Sequence, residues 1–154
     1  MEILDLMDLG IKLENMISTL YGLAAQRAAS SNPEIVAQLE TLSREEIGHA
    51  NALRLGRNFA AGMPDLFSEK HIDVSEIQRR LKETESLMDK FGSDQNLRFL
   101  LTGLLSLENS FERLHLGQSV LIEDESLKSL FASLSKGDSA HISTVSVILS
   151  GLDG

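Results

Sequence analysis

The chain contains no cysteine, no tryptophan and a single tyrosine. Without thiols it can form no disulfide, run no thiolate chemistry and hold no cysteine-ligated iron centre. Proline occurs twice in 154 residues and aromatic residues make up 5% of the chain. Scarce proline beside abundant Leu, Ala, Ser and Glu favours helix. Basic residues are the minority: 14 Lys and Arg stand against 23 Asp and Glu, a formal charge of −9. That sign argues against nucleic acid or an anionic membrane as partner, since both would repel it. No apolar run approaches the roughly 20 residues of a bilayer span. The richest, Phe99 to Leu107, stops at Glu108. The opening residues, MEILDLMDLG, lack the basic and then apolar pattern of a secretory leader, so a cytoplasmic location is expected. There is no G-x-G-x-x-G, no P-loop and no G-x-S-x-G, and no serine with a recognisable base and orienting acid.

What the chain does have is apolar periodicity at helical spacing, in a length that suits one domain over residues 1–154. A first helix is predicted from Ile3 to Ala29, with Leu6, Gly10, Leu13, Ile17, Leu20, Ala24 and Ala28 on one stripe. Asn32-Pro33-Glu34 then reads as a helix restart, Asn32 as N-cap and Pro33 in the first helical position. A second helix carries Ile35, Leu39, Leu42, Leu53 and Gly56 and fades near Gly62-Met63-Pro64. Residues 63–93 form a long crossover with a short amphipathic helix around Ile77, Leu81 and Leu87. A third long helix starts at Ser93-Asp94 and carries Leu97, Leu101, Leu104, Phe111 and His115. After a break from Gly117 to Asp124, a fourth carries Leu127, Phe131, Leu134, Val145 and Ile148. The methionines, Met7, Met16 and Met88 among them, fill gaps in the core. Two antiparallel helical hairpins joined by a long crossover describe an all-α, ferritin-like four-helix bundle.

Each apolar stripe is interrupted by polar residues at mid-helix: Glu14 on the first, Glu46 and His49 on the second, Glu108 on the third, and Asp138 and His141 on the fourth. A charge on a buried helix face is costly unless paired or bound to a metal. Residues three apart share a helix face, so Glu46 with His49, and Asp138 with His141, can ligate together. Glu14 and Glu108 would complete the shell. Four carboxylates and two neutral imidazoles balance two divalent cations. Oxygen and imidazole without sulfur suit iron or manganese for redox chemistry, while zinc would fill the site without any. Taken singly, a buried histidine is as readily a hydrogen-bonded core residue. Glu45, Arg44, Glu112 and Arg113 read as solvated faces, and His71 and His115 as structural or solvent-facing.

The run Glu45-Glu46-Ile47-Gly48-His49-Ala50 resembles the E-E-x-x-H-A of rubrerythrins, within the ferritin-like di-iron carboxylate proteins. Those bundles place a Glu on each of two helices and a Glu-x-x-His on each of the other two. Each hairpin here contributes a lone Glu and then a carboxylate-x-x-His, a weak internal duplication. Tyr21, seven residues after Glu14, matches a tyrosine that lies beside the metal site in that family and hydrogen-bonds a ligand carboxylate. The resemblance implies two iron ions, with manganese or zinc as substitutes. It implies Fe(II) oxidation, or reduction of hydrogen peroxide or dioxygen, in iron handling or oxidative-stress defence. An external electron donor and a homodimer are the implied partners. Two other readings stay open: a hydroxylase or oxygenase of an organic substrate, and a catalytically weak metal-binding or dimerisation module.

The match departs from the family at three points. Asp138 replaces Glu and follows Gly137, a poor helix former. Phe111 stands where rubrerythrins place a further glutamate, and Glu112 would replace it only through a local π-bulge. No rubredoxin domain is expected, since these 154 residues hold no cysteine.

Overall fold

The computed structural model describes residues 3–63, 75–91, 96–121 and 124–152, all helical apart from short connections. Five helices follow in order: α1 (Ile3–Ser31), α2 (Val36–Ala61), α3 (Ser75–Phe91), α4 (Leu97–Leu121) and α5 (Glu125–Gly151), with a 3-10 turn at Pro33–Ile35. At 29 residues, α1 is about 43 Å long at 1.5 Å per residue. No helix among the described residues is long and apolar enough to cross a membrane.

Side-chain contacts fix the directions of the four long helices. Along the first hairpin, Ser18 and Ser43 exchange hydroxyl-to-carbonyl hydrogen bonds of 2.8 Å, and Asp8 pairs with Arg57. Residue numbers that rise on α1 while falling on α2 mean antiparallel helices. Glu108 meeting His141 and His115 packing on Phe131 show the same for α4 and α5. Tyr21 meets Glu108 and His115 faces Glu14, so α1 is also antiparallel to α4. Glu45 and Glu46 meet His141, and Gly56 lies under Leu130, so α2 is antiparallel to α5. By these contacts α2 runs parallel to α4, and α1 to α5. The crossover helix α3 packs against α1 and α4.

The apolar stripes meet in one core that includes Leu13, Ile17, Leu20, Leu39, Leu53, Leu100, Leu101, Leu104, Phe131 and Val145. Each fully buried aliphatic side chain stabilises the fold by about 1.5–3 kcal/mol relative to an exposed one. Gly56 belongs to this packing: a Cβ there would lie 2.9 Å from the Met7 methyl and nearer still to a Leu130 methyl.

The structure differs from the sequence expectation in two places. The third long helix has no break at Gly117 and stays helical to Leu121. A single glycine weakens a helix by only about 1 kcal/mol, less than the hairpin packing supplies. Asn32 precedes the turn as expected, but its side chain makes no capping bond and contacts Glu34 instead. Its backbone, at φ −139° and ψ 64°, does not aim the amide at the helix. The start expected at Ser93-Asp94 lies outside the described residues, as does His71. The side-chain oxygen of Asn96 accepts from the Phe99 amide at 2.8 Å, and Asp124 caps α5 by accepting from the Leu127 amide at 2.9 Å.

A cap that makes its bond is worth about 1 kcal/mol. Asp124→Ala is therefore expected to lower unfolding free energy by about 0.5–2 kcal/mol, and Asn32→Ala by less than about 0.5 kcal/mol. Urea denaturation followed by circular dichroism checks both.

Candidate metal centre

Halfway along the long helices the apolar packing gives way to a buried polar cluster. Glu14, Glu46, Glu108, Asp138, His115 and His141 are each at most 4% exposed, and His49 is partly buried. The helical repeat accounts for their convergence. Each stands in register with core residues three or four positions away, so burying the stripe buries the ligand atoms with it.

Three overlapping groups bring donor atoms within 4.8 Å of one another: Glu14, His49 and Asp138; Glu108, Asp138 and His141; and Glu46, His49 and His141. Glu14 and Glu108 thus occupy opposite ends, each with a histidine, while Asp138 is shared between them. His49 Nδ1 lies 3.4 Å from Glu46 Oε2, 3.8 Å from Glu14 Oε2 and 3.9 Å from Asp138 Oδ1. Metal bonds of about 2.0–2.2 Å hold neighbouring ligand atoms roughly 3–3.5 Å apart, so these separations are close to coordination edges.

The hydrogen-bond pattern states the same need from the protein's side. Glu14 Oε1, Glu46 Oε2, His49 Nδ1 and Asp138 Oδ1 are buried without a hydrogen-bond partner. Leaving one such group unpaired costs about 1–3 kcal/mol, and four together call for a ligand. His141 faces carboxylates at both nitrogens: Nδ1 lies 2.7 Å from Glu46 and 3.2 Å from Glu108, and Nε2 lies 2.7 Å from Glu45. A neutral imidazole has one N–H, so only an added proton or a cation beside Nδ1 satisfies both ends.

Protonation fills the role in the absence of metal. Burial works against a charged His141, but the Glu108 and Glu46 carboxylates outweigh it and raise its pKa to about 11. Burial, then the charge of Glu108, pushes Glu46 up to about 8. Burial, and next Glu46, raises Glu14 well above its ordinary range. Burial raises Asp138 against the pull of His115. Both His49 and His115 are raised despite burial, through Glu14 and Asp138 respectively. Within the cluster Glu108 alone is lowered: burial opposes its charge, but hydrogen bonds from His141, Glu46 and Tyr21 prevail.

The structure brings all six residues singled out as ligands into this cluster. Tyr21 lies beside them, its hydroxyl donating to Glu108 Oε1 at 2.7 Å and its ring edge-on to His141. Glu112 is absent from every ligand group. The helix stays α-helical through it, so no bulge turns it inward. Two residues have roles beyond the sequence expectation. Of the two alternatives for His115, structural or solvent-facing, the second is excluded: Nδ1 lies 2.6 Å from Asp138 Oδ2, Nε2 lies 3.8 Å from Glu14 Oε1, and its ring packs between Phe111 and Phe131. A signal for it exists, since His115 follows Glu108 by the same seven residues by which Tyr21 follows Glu14. Glu45 is half exposed, as expected of a solvated face, yet it orients His141 from outside the cluster. Carboxylates in that position fix the ring and tautomer of ligating histidines.

No family model, curated protein or solved structure matches this chain.

The raised values of Glu46 and His141 mean that the folded protein holds protons the unfolded chain has released. Their stabilising effect is full below the ordinary values of 4.5 and 6.5 and is lost as pH rises through about 8 and about 11. Between pH 6.5 and 8 both act in the same direction. Metal-free protein is expected to lose about 1–3 kcal/mol of stability across that interval, while saturating divalent metal, taking the place of the protons, flattens or reverses the slope. Urea unfolding at several pH values, with chelator and with metal, measures both.

Proposed function

We propose that the protein is a dinuclear carboxylate protein of the rubrerythrin-like, ferritin-like kind, binding two iron ions to oxidise Fe(II) or to reduce hydrogen peroxide or dioxygen. Iron handling or oxidative-stress defence is the setting this chemistry suits. The observation that carries the reading is the convergence of four unpartnered, buried ligand atoms from Glu14, Glu46, His49 and Asp138. The helix directions support it: two antiparallel hairpins joined so that α2 parallels α4 are what a ferritin-like four-helix bundle requires. Oxygen and imidazole donors fit iron and manganese, with zinc as an inert occupant.

Bound iron would supply the electrons: two Fe(II) oxidised to Fe(III) deliver the two that, with two protons, convert hydrogen peroxide to water. The protein's own groups do the rest. Glu14 with His49, and Glu108 with His141, would hold the two metal ions, with Glu46 and Asp138 available to both. Tyr21 keeps Glu108 oriented through its hydroxyl, and Glu45 does the same for His141. Leu13, Ile17, Leu104 and Val145 belong to the surrounding apolar core and exclude bulk water. Beside Glu14 and His115 lies a cavity of about 10 Å³, walled by Leu6, Met7, Leu53 and Phe131 among others. That volume admits one water-sized molecule, which favours a small oxidant over an organic substrate at this cavity. An external electron donor would return the iron to Fe(II), and a homodimer is the proposed assembly.

One observation favours a second reading, a metal-binding module with little turnover. Asp138, already one methylene shorter than glutamate, has one oxygen engaged by His115 and offers only the other. Anaerobic Fe(II) titration followed by peroxide or air separates the two. The enzyme reading expects two Fe(II) bound per chain and an immediate near-ultraviolet rise as Fe(III) forms. The module reading expects binding with oxidation no faster than in buffer. Glu46→Ala is expected to reduce Fe(II) affinity at least tenfold, and unaltered protein binding no better than that variant would contradict both.

A further inference from the structure

Gly137 and Asp138 are adjacent, and the geometry joins them. Glycine in mid-helix weakens the helix, so its place on α5 needs a packing reason. A Cβ at residue 137 would lie 2.5 Å from His49 Nε2 and 2.8 Å from His49 Cε1. The imidazole of α2 therefore rests its edge on bare backbone of α5, while its face stacks on His141 at 5.1 Å between centroids and 19° between planes. The next residue along α5 works at the same short range. Asp138 is 1% exposed, with one oxygen 2.6 Å from His115 and the other 3.9 Å from His49 Nδ1.

We propose that Gly137 and Asp138 are one positioning device: the missing Cβ lets α5 approach His49, and the shortened carboxylate fits the reach that this approach leaves. A methyl group at 137 must displace either the ring or the helix, and Asp138 then falls short. A glutamate at 138 in the otherwise unchanged helix has an extra methylene and no room for it, because interiors are close-packed. Each change alone damages the site, and together they compensate. The ligand role of Asp138 rests on the metal reading above; the packing of His49 on Gly137 does not.

Two double-variant cycles test the pair. The first uses metal-free protein and thermal midpoints. Gly48→Ala is the helix control, because a Cβ there meets nothing within 4 Å, and it is expected to raise the midpoint. Gly137→Ala is expected to raise it only when His49→Ala is also present. A rise equal to that of Gly48→Ala with His49 in place would overturn the packing. The second cycle uses Co(II), with affinity and visible absorption as readouts. Gly137→Ala and Asp138→Glu are each expected to weaken binding by about 10–100-fold, and the double variant to lie within about tenfold of the unaltered protein. Losses that simply multiply would overturn the pair while leaving the metal centre standing. If unaltered protein fails to bind Co(II), the metal reading and the ligand role of Asp138 both fall, and the midpoints still decide the glycine.

Discussion

Four carboxylates gathered in the dry middle of the molecule are the constraint on which the remaining structure depends. Each would be hydrated in the unfolded chain, and each repels the others once water is removed. Folding is tolerable only if positive charge arrives with them. Three histidines and a tyrosine hydroxyl supply part of it in the protein alone, which is why the imidazoles are held protonated and Glu46 keeps its proton to about pH 8. The remainder shows as unpartnered ligand atoms. Divalent cations would satisfy those atoms and replace the protons in one step, so the feature that weakens the metal-free protein is the one on which the proposed metal binding rests.

The two halves of the centre share a plan but differ in chemistry. On α1, Glu14 is followed two turns later by Tyr21; on α4, Glu108 is followed two turns later by His115. Each of these residues reaches across to the other half, Tyr21 to Glu108 and His115 towards Glu14. The hydroxyl donates to its carboxylate and leaves it free to bind. The imidazole at the other end engages Asp138 and borders the small cavity beside Glu14. On the proposed reading, an oxidant confined to that cavity would meet the Glu14 end first, and two metal positions would differ through their surroundings as well as their ligands.

Most of the fold was legible because it is written in periodicity. Apolar residues three and four apart placed the helices within a few residues, and the same count put Glu14, Glu46, Glu108 and Asp138 on buried faces. What periodicity omits is what lies across a gap. Gly117 looked like a stop because a local rule was applied where hairpin packing outweighs it. Asn32 has the right residue type for a cap, but its backbone conformation, which no residue type dictates, leaves the bond unmade. His115 lay in the stripe yet read as peripheral, because its role depends on Asp138 and Glu14 from other helices. Gly137 and Asp138 looked like departures from a pattern; their meaning depends on His49, far away in sequence and in contact with the α5 backbone.

The most direct test of this account is the number of protons released as metal binds. Calorimetric titration of Mn(II) or Co(II) at pH 7, in buffers of different ionisation enthalpy, measures it together with stoichiometry. The account predicts two metal ions per chain, with at least one proton leaving the carboxylate–histidine cluster for each. Absence of binding, or binding without proton release, would contradict it.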